Sequence, residues 1–444
     1  MNKNTIFILE FVSGGGFNQV KIPASLFTEG YGMLRSVIAD FKNLEYEIET
    51  LLDFRIHFLS RYLKADVINI VQNSDIFVTK FKECVRKSKF CFIIAPEFLN
   101  TLFNLTKIAL DNDAIVLSVG LKGIILGSSK LKTYNFLKEK NICTPMTFLV
   151  PYKQGRSDIE FISGKLNELD APIIIKPEDG VGAESIYYFE TENQIVKFFN
   201  QSPDPLDHSR RYILQEFIEG RDLSVSLIGN NNPNTSSKCS PIIVGINHQN
   251  IVIKNSHHES KYLGGYTPVE NWEEIAISLK KDFKKLNLLY VNGYFGIDFI
   301  RKQDGSLSFI EINPRLTTSY IGIRNVVKQN LMNNILNFNE SYFDIYKNQF
   351  YKFSKFGHLN LEYTGTTSFE NLSKIVIPKI INNIPEIVTP PIKLSSDDKT
   401  QADYYSCFIA TKTKDLPSSE RRINKIIKIL EKKDFNIIKS SRLI

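Results

Sequence analysis

Short apolar runs alternate with helix-spaced ones through the first 120 positions. Ile6-Phe7-Ile8-Leu9 reads as a strand buried on both faces, and Gly14-Gly15-Gly16 breaks it. Over residues 26–41, Leu26, Met33, Leu34, Val37, Ile38 and Phe41 return at helical spacing. Val67-Ile68-Asn69-Ile70 is a further strand followed by a helical stretch, and the runs Phe90–Ala95 and Ala114–Leu117 are buried strands again. Strand and helix in alternation predict a parallel α/β layer domain.

The pattern then changes. Residues 130–140 predict a helix and 146–150 a strand, and from 172 to 228 the spacing is that of antiparallel strands with a tight glycine loop. Residues 230–240 are polar turn formers and predict a mobile loop. A helix is expected at 270–287 and a β-hairpin at 294–313. The tail holds a strand at Tyr404–Ala410 and a last helix after Pro417, with Ser418 or Ser419 as its cap. No repeat of solenoid period occurs. The expected division is an N-terminal parallel α/β unit over 1–122, a two-subdomain α+β unit over 123–345 and a C-terminal α/β extension over 346–444.

Composition narrows the function classes. The chain has 444 residues, too many for one ordinary core, and 43% hydrophobic with 23% charged residues is the make-up of a folded soluble protein. The net charge of +7, from 55 Lys+Arg against 48 Asp+Glu, is scattered. A nucleic-acid surface would concentrate it, so no nucleic-acid partner is expected. Five cysteines without a C-x-x-C spacing read as reduced thiols of a cytoplasmic protein. No apolar run approaches the roughly 18–20 residues of a membrane span, and Met1–Glu10 reads as a first strand, not a signal peptide.

The most informative segment is Phe295–Ile300 followed by Leu307–Asn313, with Asp304-Gly305 between them as a two-residue turn signal. With that turn, Asp298 lies opposite Glu311 and Gly296 opposite Asn313, all on one face. Two carboxylates opposed at about 5 Å repel by roughly 3 kcal/mol at an effective dielectric of 20. A hard cation between them turns this cost into a site. Two carboxylates and an amide oxygen, with room for phosphate oxygens, are a donor set that Mg²⁺ accepts. The bland alternative is a hairpin with its charges in water, which the flanking Phe295, Ile297, Phe299, Phe309, Ile310 and Ile312 argue against.

A second segment, Pro172–Glu184, is an apolar strand that delivers Lys176 into a loop with Gly180 and Gly182. Glycines let backbone N–H groups approach phosphate oxygens, and a lysine on a buried strand needs an anionic partner. A plain hairpin with a snorkelling lysine is the alternative. The pattern is no Walker A loop. A third segment, Leu214–Asp222, runs a strand into a short linker, where backbone can pair with a base edge and carboxylates can take amino and hydroxyl groups. Alone it looks like any charged turn.

These three segments in this order, with Lys130 upstream, resemble the ATP-grasp superfamily, at the level of D-alanine–D-alanine ligase and biotin carboxylase, over about 125–335. The resemblance implies two α+β subdomains with ATP between them. It implies Lys130, Lys176, Glu178, Gly180 and Gly182 around the phosphates, Glu216 with the Phe217–Ile218 backbone at adenine, and Asp222 at the ribose. It also implies Asp298, Glu311 and Asn313 on two Mg²⁺ or Mn²⁺ ions, with Arg315 stabilising charge at the transferred phosphoryl or acyl phosphate. One departure stands out. D-alanine ligases carry an arginine two residues before the metal aspartate, and here that place is Gly296.

The opening Glu10–Phe17, then Pro23–Leu34 and Leu126–Thr133, is similar to the tyramine–L-glutamate ligase family of methanofuran biosynthesis. That likeness implies Gly14, Gly15 and Gly16 at a substrate, against the plainer reading of a tight β-to-α turn. His257-His258-Glu259 with Lys261 is read as a substrate or phosphate loop, with Lys261 a candidate catalytic partner of the γ-phosphate. A plain surface loop fits as well, and a zinc site fits poorly. The expected activity is therefore an ATP-dependent carboxylate–amine ligation through an acyl phosphate, on L-glutamate with tyramine or a similar amine. Alternatives are another amino-acid or peptide ligase of the class, or an ATP-binding regulator without turnover. Small-molecule substrates are the expected partners, with no membrane, and the reading leaves room for a homodimer.

Overall fold

A computed structural model describes residues 4–438 apart from 154, 181–184, 202–203, 231–239, 254–259, 338–351 and 398–401. The expected loop at 230–240, apart from Asn230 and Ser240, therefore lies outside the described residues, as do Gly182, Cys239 and His257-His258-Glu259.

The first sheet has five parallel strands in the order Val67–Val71, Glu47–Asp53, Thr5–Glu10, Phe90–Ile94, Ile115–Val116. Its central strand shows why the run Ile6–Leu9 is unbroken. Ile6 and Ile8 face Phe27, Leu34 and Ile38 around the helix Ala24–Lys42, whereas Phe7 and Leu9 face Phe81 and Leu105 on the other side. Both faces are covered by helices, so every position is apolar. The strand Glu47–Asp53 has no such run and escaped the periodicity. Two of its acids are buried but satisfied: Asn69 Nδ2 donates to Glu49 Oε1 at 2.7 Å, and Arg55 Nη2 reaches Asp53 Oδ2 at 2.7 Å.

A four-stranded antiparallel sheet follows, ordered Tyr187–Phe189, Ile173–Pro177, Tyr212–Glu216, Thr147–Leu149. Ile173 and Ile175 bury against Ile162 and Leu166 of the helix Ile159–Leu169 and Ile195 and Phe198 of the helix Glu192–Phe199. Period-2 alternation then sends Ile174 and Lys176 to the opposite face.

The large sheet is antiparallel. Leu307–Asn313, Gly293–Arg301, Arg221–Gly229, Ile242–Val252 and Lys261–Thr267 are continued by Ser354–Tyr363, Ala402–Ala410 and Ile387–Asp397. The join pairs Gly264 with Gly357 and Gly265 with Phe356. Gly264 has φ +119°, and a Cβ there would stand 2.1 Å from Phe356 O, so this contact tolerates no side chain. We propose 1–122, 123–345 and 346–444 as the units of the chain; in the sheet the third is continuous with the second.

The last helix begins earlier than expected, at Leu416–Glu431. Its cap is Asp415, whose carboxylate accepts Ser418 N–H at 2.8 Å. Pro417 fits inside the first turn because no intrahelical N–H bond is needed there. Among the described residues no helix is long and apolar enough to cross a membrane.

Candidate active site

The hairpin Gly293–Arg301/Leu307–Asn313 pairs Asp298 with Glu311 and Gly296 with Asn313. The turn differs from the expected two-residue one. Gly305 N–H donates to Lys302 O at 3.0 Å, Lys302 N–H to Ser306 O at 2.9 Å, and Gly305 takes φ +84°. Three residues thus form the loop, which moves the outer register by one position. A bulge between Asp298 and Phe299 leaves Ile310 unpaired and restores the register at the carboxylates. Ile310 and Glu311 consequently both line the same cleft.

That cleft runs between the two antiparallel sheets and gathers Lys130, Lys176, Gly180, Glu216, Phe217, Ile218, Asp222, Asp298, Glu311, Asn313 and Arg315. Asp298 Oδ2 accepts Asn313 Nδ2 at 2.9 Å and Oδ1 accepts Gln249 Nε2 at 3.1 Å. Burial, and then the facing Glu311, push the Asp298 carboxyl up. Burial acts on Glu311 in the same sense, but the Lys130 and Lys176 ammonium groups outweigh it and hold that carboxyl down. Lys130 Nζ lies 3.3 Å from Glu311 Oε2 and donates to Gly180 O at 2.6 Å. No third carboxylate, histidine or cysteine joins the pair among the described residues. The donors are hard oxygens with one resident cation already on them, a set that fits Mg²⁺ or Mn²⁺.

Lys176 is 5% exposed and has no hydrogen bond or ion pair among the described residues. Burial lowers its pKa to about 8 against the pull of Glu311. A buried ammonium without a partner is the feature that most asks for an anion here. At the other end Ile174, Ile186, Ile251, Phe217 and Ile300 make an apolar slot. Glu216 Oε2 accepts Met146 N–H at 3.1 Å, and Phe217 N–H is taken by Pro172 O at 2.9 Å. Phe217 can therefore offer a base only its carbonyl. Burial raises Asp222 to about 6.

Four candidates sit differently from the simplest reading. Glu178 is held by Ser129 Oγ and by Arg211 Nε at 3.1 Å, so it ties the lysine loop to the start of the helix Lys130–Glu139 and does not line the main cleft. Lys261 is exposed and also outside the cleft lining, because strand alternation turns Tyr262 inward in its place. Gly14–Gly16 form a tight turn, with Gly14 N–H on Glu10 O and Gly16 N–H on Phe11 O, both 2.8 Å, and they do not reach the cleft. Gly15 has φ +98°, and a Cβ there would strike Val71, so the glycines answer to packing. Arg315 lines the cleft, but its Nε is engaged by both Glu97 oxygens at 3.0 and 3.1 Å.

Glu97, Gln249 and Tyr262 lie outside any spaced motif, and Glu29 lies within the Pro23–Leu34 segment, whose likeness marks no single residue. Gly296 also gains a physical account: a Cβ there would meet Thr317 Cγ2 at 2.9 Å.

Residues 127–319 match the ATP-grasp domain family. The tyramine–L-glutamate ligase of Methanocaldococcus jannaschii is 26% identical over 324 residues, covering 72% of this chain and 84% of that protein. An ATP-grasp superfamily protein from Archaeoglobus fulgidus superposes with TM-score 0.57 at 20% identity, over 92% of this chain and 99% of that one. The L-amino acid ligase from Bacillus licheniformis superposes with TM-score 0.60 at 12% identity, over 99% of both chains. Residues 127–319 of this mixed α/β chain thus match the ATP-grasp domain, and its relatives by sequence and by fold include ligases.

Proposed function

We propose that the protein joins a carboxylate to an amine at the expense of ATP, through an acyl phosphate, with L-glutamate and tyramine or a similar aromatic amine as its substrates. The observation that carries the ligation is the meeting of two lysines with the Asp298–Glu311 pair in one cleft. The substrate pair rests on the likeness to the tyramine–L-glutamate ligases.

The residues divide the work by charge. Lys130 and Lys176 hold the phosphates, and Lys176 recovers its full charge when an anion arrives. The Phe217 carbonyl, Ile218 and Glu216 hold the base and Asp222 the ribose. Asp298, Glu311 and Asn313 would hold two Mg²⁺ or Mn²⁺ ions, which neutralise charge on the transferring phosphoryl group. Arg315, fixed by Glu97, presents a preorganised positive charge beside them.

The test is ADP release from MgATP with L-glutamate and tyramine, then with a matrix of amino acids against primary amines. Release that needs both a carboxylate and an amine, with amide as product, is expected. ATP binding without release for any pair would instead favour a regulator.

A further inference from the structure

The end of the cleft beyond the carboxylates is lined by Glu29, Tyr262, Thr318 and Phe356, and neither nucleotide nor cation accounts for it. Glu29 comes from the helix Ala24–Lys42 and Phe356 from the strand Ser354–Tyr363, so two distant parts of the chain close this end. Behind them stands His358. Its Nε2 meets Glu29 Oε1 at 2.7 Å, and its Nδ1 lies 3.1 Å from Thr28 Oγ1 and 3.5 Å from Ser406 Oγ. The Phe408 ring abuts it edge-on at 5.2 Å. With both nitrogens engaged, the imidazole cannot swing, and it fixes one Glu29 oxygen. The other has no hydrogen-bond partner among the described residues, and the side chain keeps 23% exposure. Arg315 holds Glu97 through its Nε, and the Glu29 charge also acts on its guanidinium. The cleft thus holds a carboxylate whose second oxygen has no hydrogen-bond partner among the described residues, near Tyr262.

We propose that Glu29, oriented by His358, binds the amine substrate as its ammonium and takes a proton from it. This rests on the ligase reading and names the acceptor class: a primary amine whose apolar or aromatic body lies against Tyr262 and Phe356. The amine enters as R–NH₃⁺. One proton moves to Glu29, which frees the nitrogen lone pair. Nitrogen attacks the acyl carbon, the C–N bond forms and the C–O bond to phosphate breaks. The second nitrogen proton leaves with the phosphate, and the Glu29 proton passes to solvent. Glu29 is then a catalytic residue and His358 a positioning residue, which gives the C-terminal segment a part in the chemistry.

Hydroxylamine separates this step from acyl phosphate formation, since it is already neutral at pH 7 and needs no carboxylate to free its nitrogen. With the substrate pair found in the screen above, rates of hydroxamate and amide formation are measured side by side. Glu29→Gln keeps size and removes charge, so the ratio of hydroxamate to amide should rise about 10²-fold, the scale of one general base. Glu29→Asp should lie between Gln and wild type. His358→Gln should raise KM for the amine more than it lowers kcat, with hydroxamate formation less affected. If Glu29→Gln does not fold, the same ratio is read in Glu29→Asp. An unchanged ratio, whether both rates fall together or neither does, overturns the proposal. A wild type that makes neither product fails the ligase reading itself.

Discussion

The Lys130 ammonium lies 3.3 Å from the Glu311 carboxylate, a contact between the start of one helix and the edge strand Leu307–Asn313 of the large sheet. Both groups are largely buried, with side-chain exposures of 11% and 17%. In this state the lysine occupies ground that a divalent cation would share. A cation bound there would share Glu311 with Lys130 and would free the ammonium to meet phosphate.

Replacing Glu311 tests that arrangement. Glu311→Gln keeps the shape and removes one of two opposed charges, so ADP release should fall at least about tenfold at saturating Mg²⁺. Thermal melting without nucleotide should fall modestly, because the lost attraction to Lys130 and Lys176 outweighs the relieved repulsion of Asp298. Turnover equal to wild type would remove Glu311 from the cation site.

Lys176 offers a trade of stability against binding. Its pKa falls from 10.5 to about 8 on burial, which corresponds to a cost on the order of 3 kcal/mol while it stays charged. Between about pH 8 and 10.5 the unfolded chain holds this proton more firmly than the folded one. The contribution of Lys176 to stability without nucleotide therefore rises with pH across that window, and the cost is fully present below it. Lys176→Met should raise the melting temperature of the nucleotide-free protein at pH 7, and the gain should shrink toward pH 10. Calorimetry should show ATP affinity reduced at both pH values. A lower melting temperature at pH 7 would mean that the lysine is structural.

Arg315→Lys separates docking from chemistry. A lysine cannot hold both Glu97 oxygens and still present a planar fork to the cleft. We expect kcat to fall about 10²-fold while the Kd for ATP changes far less. Glu97→Gln should shift kcat in the same direction and by less. Equal losses of affinity and rate in Arg315→Lys would make Arg315 an anchor for bound ATP.

Gly264→Ala probes the join between the nucleotide sheet and the C-terminal strands. Both φ +119° and the 2.1 Å approach of Phe356 O oppose a methyl group there. A loss of more than about 1 kcal/mol in urea unfolding is expected, together with a higher KM for the amine. Unchanged stability would show that the strands can part without cost.

Local chemistry carried much of this protein. The apolar run at Ile6–Leu9, the lysine on an isoleucine strand and the acids of the hairpin are short-range patterns, and period-2 alternation alone sends Lys176 to one face and Ile175 to the other. The opposition of Asp298 and Glu311 was legible although the turn was misread, because a three-residue loop and a bulge at Ile310 shift the register in opposite senses. Folding in three dimensions decided the rest. Glu29 and His358 are 329 positions apart, and no local pattern joins them. Arg315 meets Glu97 across 218 positions, and Lys261 lost its place to Tyr262 only because of which face the large sheet turns to the cleft. The strand Glu47–Asp53 stayed hidden because two of its acids are satisfied by Asn69 and Arg55, partners that adjoin it only once the chain has folded. Side-chain period is a property of neighbours along the chain, whereas the pairing of charges depends on which distant segments share a dry interior.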